Sequence, residues 1–310
     1  YGKLRFDEKS IATLKTSLGT IDDQLTRALA WSAIWDMTRD GELAASDYVP
    51  MALTALAGET DVAVVAMTFT QLGSAVELFA ADKNRDALRA QLADGVEKLL
   101  DGATAGSDLQ LQYVRSFASY AHSPAQTARI REILDGKQEG VTVDANLRWH
   151  LLNSLVERGA ATIAEVESEL ERDKTADGEK AAAFGRAASP EASVKSAAWE
   201  LATTQEISNH IQIQTIQGFQ RAGQRQLTAP FIDKYFEIIA PYWASHTYEF
   251  ASNVAALLYP VYQISQSTLD KTESWLSGAG KDAPAALRRI VSEQRDALAR
   301  ALKAQACDTK

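Results

Sequence analysis

The sequence predicts an all-α fold of stacked antiparallel helix pairs, a HEAT-like superhelical solenoid. The first observation is that helix caps and apolar stripes of helical spacing recur along nearly the whole chain. The second is that most connections are short, roughly 2–8 residues, which makes successive helices antiparallel neighbours. Together they predict about sixteen helices, with pairs repeating every ~35–40 residues. An irregular helical bundle is the alternative that this pattern leaves open.

Capping residues indicate where individual helices begin. Thr20, with Asp23 three residues later, predicts the start of the first long helix. Ser46 is predicted to cap the next helix, because its hydroxyl can accept a hydrogen bond from a free backbone amide. Further helix starts are predicted at Asp61, Ser107, Ser123, Asp144 and Thr162.

Composition is that of an ordinary globular protein and argues against two kinds of partner. Of the 310 residues, 46% are hydrophobic and 24% are charged, which is enough for a continuous core. The net charge of −9 repels phosphate, so we expect no nucleic-acid binding and no anionic-membrane binding. The longest apolar stretch, 61–81, is interrupted by Thr68, Thr70 and Gln71, so we expect no membrane-spanning helix.

The chain contains a single cysteine, Cys307, so it cannot form an internal disulfide. Free thiols are typical of reducing compartments, and we therefore expect a cytoplasmic protein. Because Cys307 lies in a polar stretch with no base beside it in sequence, we assign it no nucleophilic role.

The domain organisation predicted from the sequence is one helical domain with short ends. Residues 1–8 begin with a stretch, 1–6, that alternates weakly like a strand, yet no later strand is predicted to pair with it. We interpret them as the end of a missing sheet domain; an engineered or processed terminus is the alternative. No linker rich in proline, glycine or serine divides residues 9–306, which are predicted to form the helical domain. Residues 307–310 are predicted to be a tail.

Motifs that would give this chain its own catalytic site are absent from the sequence. No two histidines lie four residues apart, so an H-E-x-x-H zinc helix is excluded, and one cysteine cannot build a cysteine-rich zinc site. There is no G-x-S-x-G nucleophile motif and no complete P-loop. We therefore predict no catalytic, cofactor-binding or metal-binding residue in this chain.

Short stretches in a fixed order along the chain carry a family resemblance. They are YGKLRFD at 1–7, LTRALAWSAIWDM at 25–37, RDG at 39–41, LRW at 147–149, ERG at 157–159, ERD at 171–173, AWE at 198–200, QGFQ at 217–220, YF at 235–236, LRR at 287–289 and RAL at 300–302. This ordered set resembles the C-terminal helical domain of aminopeptidase N-type zinc metallopeptidases, closest to the actinobacterial form. It covers essentially the whole chain.

The resemblance implies a function for a larger protein rather than for this chain alone. It implies that a zinc domain precedes this region and that residues 1–8 end a small β-sandwich domain. The parent enzyme would remove N-terminal residues from peptides through a zinc-activated water. This chain would close over the catalytic domains and form part of the substrate chamber, with those domains and a peptide as its partners. The family's zinc ligands have no counterpart here, so zinc is expected in the parent and not in this chain.

Three arginines are predicted as possible peptide contacts. A peptide carboxylate would require an arginine or lysine facing the concave side of the helix stack. Arg148, Arg221 and Arg225 are the candidates, because they lie on or beside the stretches that carry the resemblance. The simpler interpretation is that each pairs with a carboxylate of this chain or caps a helix.

Three hypotheses about function follow. The chain is an accessory domain of a zinc exopeptidase, a stand-alone helical scaffold that binds a peptide or protein, or an enzyme with an unfamiliar site. The first explains the strand-like start and the missing zinc motif together. The second leaves the strand-like start unexplained, and the third has no set of residues to support it.

Overall fold

Helices dominate the computed structural model, which describes residues 2–204 and 207–309. No strand occurs within these two ranges, so the predicted all-α fold class is confirmed. The strand predicted at the N-terminus is not formed: residues 2–7 have no regular secondary structure. The physical reason is that no described segment beside them supplies the backbone pairing that a strand requires. Tyr1 lies outside the described residues.

The chain divides into two compact units, Tyr1–Val143 with Arg300–Lys310, and Asp144–Ala299. The helices of unit 1 are α1 (Glu8–Ser17), α2 (Gln24–Arg39), α3 (Ala45–Leu56), α4 (Val62–Ser74), α5 (Asp82–Asp101), α6 (Asp108–Tyr120) and α7 (Pro124–Leu134). The helices of unit 2 are α8 (Ala145–Glu157), α9 (Ile163–Arg172), α10 (Ala176–Ala188), α11 (Ala192–Thr204), α12 (Asn209–Phe219), α13 (Arg225–Thr228), α14 (Ile232–Ser245), α15 (Tyr248–Leu257) and α16 (Gln266–Ser277). The last helix, α17 (Ala285–Cys307), begins in unit 2 and ends in unit 1. The boundaries proposed at residues 8 and 306 remain predictions.

Unit 1 is built of two layers of helices. In one layer α4 contacts α2 and α6, and in the other α3 contacts α1 and α5. Helix α7 joins the second layer, since Gln126 and Arg129 donate hydrogen bonds to Glu97 of α5. Burial of apolar side chains between the layers stabilises the unit. The largest of these fully buried side chains include Trp31, Tyr48, Phe69 and Phe117.

One helical stretch, Val62–Phe79, is long and apolar enough to cross a membrane if judged by length and composition alone. It consists of α4 and the π-helical turn Ala75–Phe79 that continues it. In the fold one side of it packs inside unit 1, with Phe69 buried and with Gln71 accepting a hydrogen bond from Tyr48 at 3.0 Å. Of the polar interruptions seen in the sequence, Thr68 and Gln71 are buried in unit 1 and Thr70 is exposed.

The helix starts agree with the predicted caps at most positions. Asp23, rather than Thr20, caps α2, because its carboxylate accepts the Thr26 amide at 2.7 Å. Helix α3 has no side-chain cap from its own sequence; the Ser46 amide donates to Asp308 at 2.7 Å. The predicted caps that the structure confirms are Asp61, Ser107, Ser123, Asp144 and Thr162.

In unit 2, α8, α10 and α12 form one row of neighbouring helices. Helix α10 contacts both α8 and α12, and the intervening α9 and α11 pack against this row. Helices α10 and α12 approach closely at Gly218, where a Cβ atom would lie 2.3 Å from the Phe184 carbonyl oxygen. Because each connection returns the chain through one antiparallel helix, α8, α10 and α12 run parallel. Their carboxyl ends therefore meet at one edge of unit 2.

Candidate functional site

The three arginines predicted as peptide contacts all lie in unit 2, but they do not lie together. Arg148 is in the first half of α8, whereas Arg221 and Arg225 flank the short 3-10 turn Ala222–Gln224 after α12. Arg221 reaches Glu157, the last residue of α8. At 1.5 Å per residue, Glu157 is about 14 Å along the helix axis from Arg148. The fold therefore brings Arg221 and Arg225 near each other and leaves Arg148 apart.

Arg148 connects α8 to α9 through a two-point ion pair. Its Nε and Nη2 atoms donate to the two carboxylate oxygens of Glu169 at 2.9 and 2.7 Å. Glu169 is buried, and the hydrogen bond from Arg148 holds the pKa of that carboxyl below its usual value. Such a bidentate pair orients both side chains. Arg148 thus stabilises the packing of these two helices.

Arg221 and Arg225 are each held by an aromatic ring. The Arg221 guanidinium lies 5.1 Å from the centre of the Phe184 ring, and its Nη2 donates to Glu157 at 2.7 Å. The Arg225 guanidinium lies 5.9 Å from the Tyr262 ring. Cation–π contacts at these distances fix the guanidinium while its edge remains able to donate hydrogen bonds. These contacts therefore fix the segment that carries both arginines in unit 2.

A polar cluster lies where the carboxyl ends of α8, α10 and α12 meet. Carbonyl groups in the last turn of a helix lack intrahelical partners and carry partial negative charge. Gln224 donates to the carbonyl oxygens of Glu157 at 2.9 Å and Ala188 at 2.7 Å, which joins the ends of α8 and α10. We call this group the helix-end cluster, and its members are Glu157, Arg158, Lys195, Arg221 and Gln224.

Lys195 is the most deeply buried member of the helix-end cluster. Its side chain is fully buried, and its Nζ donates to the carbonyl oxygens of Ala187 at 2.7 Å and Gly218 at 3.0 Å. Burial lowers the pKa of Lys195 from 10.5 to about 7, partly opposed by the carboxylate of Glu157. The amine therefore joins the ends of α10 and α12, and its pKa is close to neutral pH.

The helix-end cluster carries more positive than negative side chains. Arg158 donates to the Ser154 carbonyl oxygen at 2.7 Å, and burial, followed by the repulsion of Arg221, lowers its pKa. Glu157 is the only carboxylate among the five defined members. The partial negative charge of three helix ends offsets this excess of cations. The cluster thus stabilises an edge where three helices would otherwise repel one another.

The side chains of this site hold helix ends and one another by hydrogen bonds and an ion pair. Within residues 2–204 and 207–309, no group of three or more histidine, cysteine, aspartate or glutamate side chains could hold a metal ion. These residues do not fit a zinc site, so no metal-dependent step is assigned to them. A ligand carboxylate at Arg221 would have to share the guanidinium with Glu157. Whether any of the three arginines contacts a peptide remains a prediction.

Sequence reasoning did not identify Lys195 and Gln224 as site residues, although both lie in or near stretches that carry the resemblance. Lys195 shares the buried stripe of α11 with Ala198, Trp199 and Ala202. A lysine in phase with an apolar stripe was therefore the available signal for a buried cation. Gln224 offered no such signal, because its partners lie 36 and 67 residues away.

Layered antiparallel helices, with a polar cluster joining three helix ends, place this chain in the class of all-α layered domains. A family model described as the ERAP1-like C-terminal domain matches residues 1–300, and the chain belongs to that family. The chain is 42% identical over 311 residues to Aminopeptidase N of Streptomyces lividans. That alignment covers 99% of this chain and 36% of the relative. The resemblance to aminopeptidase N-type proteins is confirmed, and the chain spans about a third of that relative's length.

Proposed function

We propose that this chain is the C-terminal helical domain of a zinc-dependent aminopeptidase that removes N-terminal residues from peptides. In that enzyme the chain shapes and closes the substrate chamber and performs no bond cleavage itself. The observation that carries the proposal is 42% identity along 99% of the chain to a protein named Aminopeptidase N. Because the match spans 36% of that protein, a larger part remains to supply the chemistry.

Zinc belongs, on this proposal, to catalytic domains that precede the helical domain in the same polypeptide. A zinc-bound water would be the nucleophile there. The helical domain would exclude bulk water from that site and limit which peptides reach it. This division of labour is supported by the lack of a possible metal-ligand group in the described part of the chain.

The test uses the whole polypeptide that contains this chain. We expect it to hydrolyse a fluorogenic aminoacyl amide, to lose that activity with a zinc chelator, and to regain it when zinc is restored. A whole polypeptide that hydrolyses no aminoacyl substrate, with its zinc content measured, would contradict the proposed activity. A chelator-resistant activity would contradict the proposed cofactor.

Peptide contact by the arginines is a finer part of the proposal, and we place it first at Arg221 with Arg225. Both are cationic and positioned by rings, and a guanidinium pairs well with a terminal carboxylate. In the whole polypeptide, Arg221→Gln should raise KM for a peptide with a free carboxyl end more than for its amidated form. Arg186→Gln, at an exposed ion pair elsewhere in unit 2, is the control. An equal change in KM for both peptide forms would contradict a contact between Arg221 and the peptide carboxylate. Arg148 would then be tested alone.

We also propose a cytoplasmic location. The support is the single cysteine, which is compatible with a reducing compartment. Cell fractionation that recovers the protein chiefly outside the cell or in the membrane fraction would contradict this.

A further inference from the structure

The outer side of one layer of unit 1 carries most of the exposed large hydrophobic side chains found among the described residues. They are Leu25 and Leu29 on α2, exposed by 69% and 49%, Met67 on α4, exposed by 42%, and Leu111 on α6, exposed by 37%. Helix α4 contacts both α2 and α6, so the three helices are neighbours in one layer. We call this surface the α2–α4–α6 face. The layer formed by α1, α3, α5 and α7 has no such exposed side chain in the described ranges.

The four side chains lie at a similar height on the α2–α4–α6 face. Helices α2, α4 and α6 run parallel, because each is separated from the next by one antiparallel helix. Every one of the four side chains lies within the first two turns of its helix. They are therefore exposed toward the same end of three neighbouring helices, and we call this set the apolar row.

Helix α4 lacks the charged residues that the outer side of a solvated surface helix normally carries. No charged residue occurs in α4 from Val62 to Ser74, although only 44% of the apolar stretch Val62–Phe79 is buried. Its neighbour in sequence, α5, differs: its exposed positions include Asp82, Lys83, Asp94 and Lys98. Uncharged apolar surface of this kind marks a site of association with another surface.

We propose that the α2–α4–α6 face is the surface on which the preceding, zinc-bearing part of the same polypeptide docks. The proposal rests on the proposed function, because that occupant exists only in a protein with the architecture of the aminopeptidase relative. The aligned relative is much longer than this chain, which matches 36% of it. A partner joined covalently acts at high effective concentration, so a modest apolar row is sufficient for stable docking.

The N-terminal segment of the chain is fixed to α2, the first helix of this face. Lys3 and Arg5 donate to the Asp40 carboxylate at 2.9 and 2.6 Å, at the carboxyl end of α2. The Phe6 amide donates to the sulfur of Met37, also on α2, at 3.4 Å. The hydrogen bond from Lys3 and the neighbouring cations lower the pKa of Asp40, so its charge persists at neutral pH. A preceding segment would thus join unit 1 at the carboxyl end of α2, the end opposite to Leu25 and Leu29.

Charge next to the apolar row indicates the chemistry of the partner. Asp22, Asp61 and Asp108 are exposed at the amino ends of α2, α4 and α6, the same end at which the apolar row lies. A complementary partner surface is therefore apolar with a basic rim. The same carboxylates, in a chain of net charge −9, oppose adsorption to an anionic bilayer. They also repel a second copy of this face.

Site-specific photo-crosslinking in the whole polypeptide tests the docking face. Benzoylphenylalanine is placed at position 29 or 67, with position 87, exposed on α5, as the control. We expect cross-links from positions 29 and 67 to residues that precede this chain in the same molecule, and none from position 87. Cross-links between two copies, cross-links to added phosphatidylcholine vesicles, or no cross-links at all would each overturn the proposal.

A pair of substitutions gives an independent readout of the same surface. Leu29→Glu combined with Met67→Glu should lower the unfolding temperature of the whole polypeptide but leave that of this chain alone unchanged, because both side chains are exposed here. Ala87→Glu should change neither. An equal shift in chain and whole polypeptide, or no shift in either, would contradict docking. If the whole polypeptide hydrolyses aminoacyl substrate while these tests fail, the docking face is wrong and the proposed function stands.

Discussion

At the scale of single residues, the environment of Lys195 determines both its contacts and its charge. It is fully buried on α11, and it donates to one carbonyl oxygen at the end of α10 and one at the end of α12. Those helix ends carry partial negative charge, which makes a buried amine tolerable. Burial nevertheless lowers its pKa to about 7. A neutral amine can still donate both hydrogen bonds. Loss of the proton therefore removes the free-energy penalty of burying a charge and leaves the two contacts of Lys195 in place.

The pH dependence of stability should report this buried lysine. The pKa of Lys195 is about 7 in the fold, against 10.5 as its ordinary value. Between these values the unfolded chain binds a proton that the folded chain does not, so the free energy of unfolding rises with pH, by up to about 1.4 kcal/mol per pH unit. Lys195→Met should remove this slope, whereas Lys174→Met, at an exposed lysine, should keep it. Urea unfolding from pH 7 to 10 checks this, and parallel slopes for all three proteins would refute it.

Two ion pairs of matched geometry allow the effect of burial to be isolated. Arg148 with Glu169 and Arg186 with Glu167 both use Nε and Nη2 on the two carboxylate oxygens. The first pair is largely buried, whereas both members of the second are more than 40% exposed. Arg148→Met should lower the free energy of unfolding by about 3 kcal/mol, because it removes the two-point partner of a buried carboxylate. Arg186→Met should lower it by less than about 1 kcal/mol, because that pair is exposed.

Chemical denaturation of these two variants distinguishes a buried pair from a surface pair. The pKa of Glu169 is lowered in the fold, so its contribution to stability is present above its ordinary pKa and is lost as the pH falls through the lowered value. The deficit of the Arg148→Met variant should therefore shrink in acid. Equal losses for the two variants at neutral pH would show that burial does not control these pairs.

At the scale of elements, the C-terminal residues predicted to be a tail take part in helix capping. Asp308 is buried, and its carboxylate accepts the Ser46 amide of α3 at 2.7 Å and the Ala81 amide, at the start of α5, at 2.8 Å. An anion is favourable at two helix amino ends at once. This arrangement replaces the local caps that both helices lack. It also connects the end of the chain to unit 1.

Removing this shared cap should lower the free energy of unfolding more than removing a cap that serves one helix. Asp308→Ala leaves the amides of two helices without a partner, so we expect a loss of about 2 kcal/mol, against about 1 kcal/mol for Ser107→Ala, which uncaps α6 alone. Hydrogen exchange at the Ser46 and Ala81 amides should accelerate only in the Asp308 variant. Unchanged protection of these two amides would rule out the shared cap.

Close packing of α10 and α12 provides a second prediction at this scale. A Cβ atom at Gly218 would meet the Phe184 carbonyl oxygen at 2.3 Å and the Ala187 side chain at 2.8 Å, whereas nothing lies within 4 Å of one at Gly223. Gly218→Ala should therefore destabilise unit 2 by about 3 kcal/mol, and Gly223→Ala should be close to neutral. Thermal unfolding of the two variants measures this. A stable Gly218→Ala variant would mean that the two helices can separate at little cost.

How much could be predicted from sequence differs between local and long-range features. The all-α class and most helix starts depend on neighbouring residues, such as Ser123 with Gln126, and were predicted correctly. The cap on α3 could not be foreseen, since Asp308 is 262 residues from Ser46. The candidate arginines all lie in unit 2, but the grouping of Arg221 with Lys195 depends on three helix ends meeting in space. Sequence spacing contains no measure of that distance.

At the scale of the whole molecule, the proposed function assigns shape and contact surfaces to this chain. Unit 1 presents an apolar face, and unit 2 has a polar edge where cations join helix ends. Neither unit offers, among the residues described, a set of side chains suited to hold a metal. Membership of a family named for a C-terminal domain agrees with this division of labour. On the proposed function, the aminopeptidase chemistry lies outside this chain.

The most direct measurement is hydrolysis by the chain itself. The purified chain is incubated with a fluorogenic aminoacyl amide and added zinc, beside an equal molar amount of the whole polypeptide that contains it. The account predicts turnover by the whole polypeptide and none by the chain. Zinc-dependent turnover by the chain alone would contradict it, because a helical domain that supplies only shape cannot cleave an amide bond.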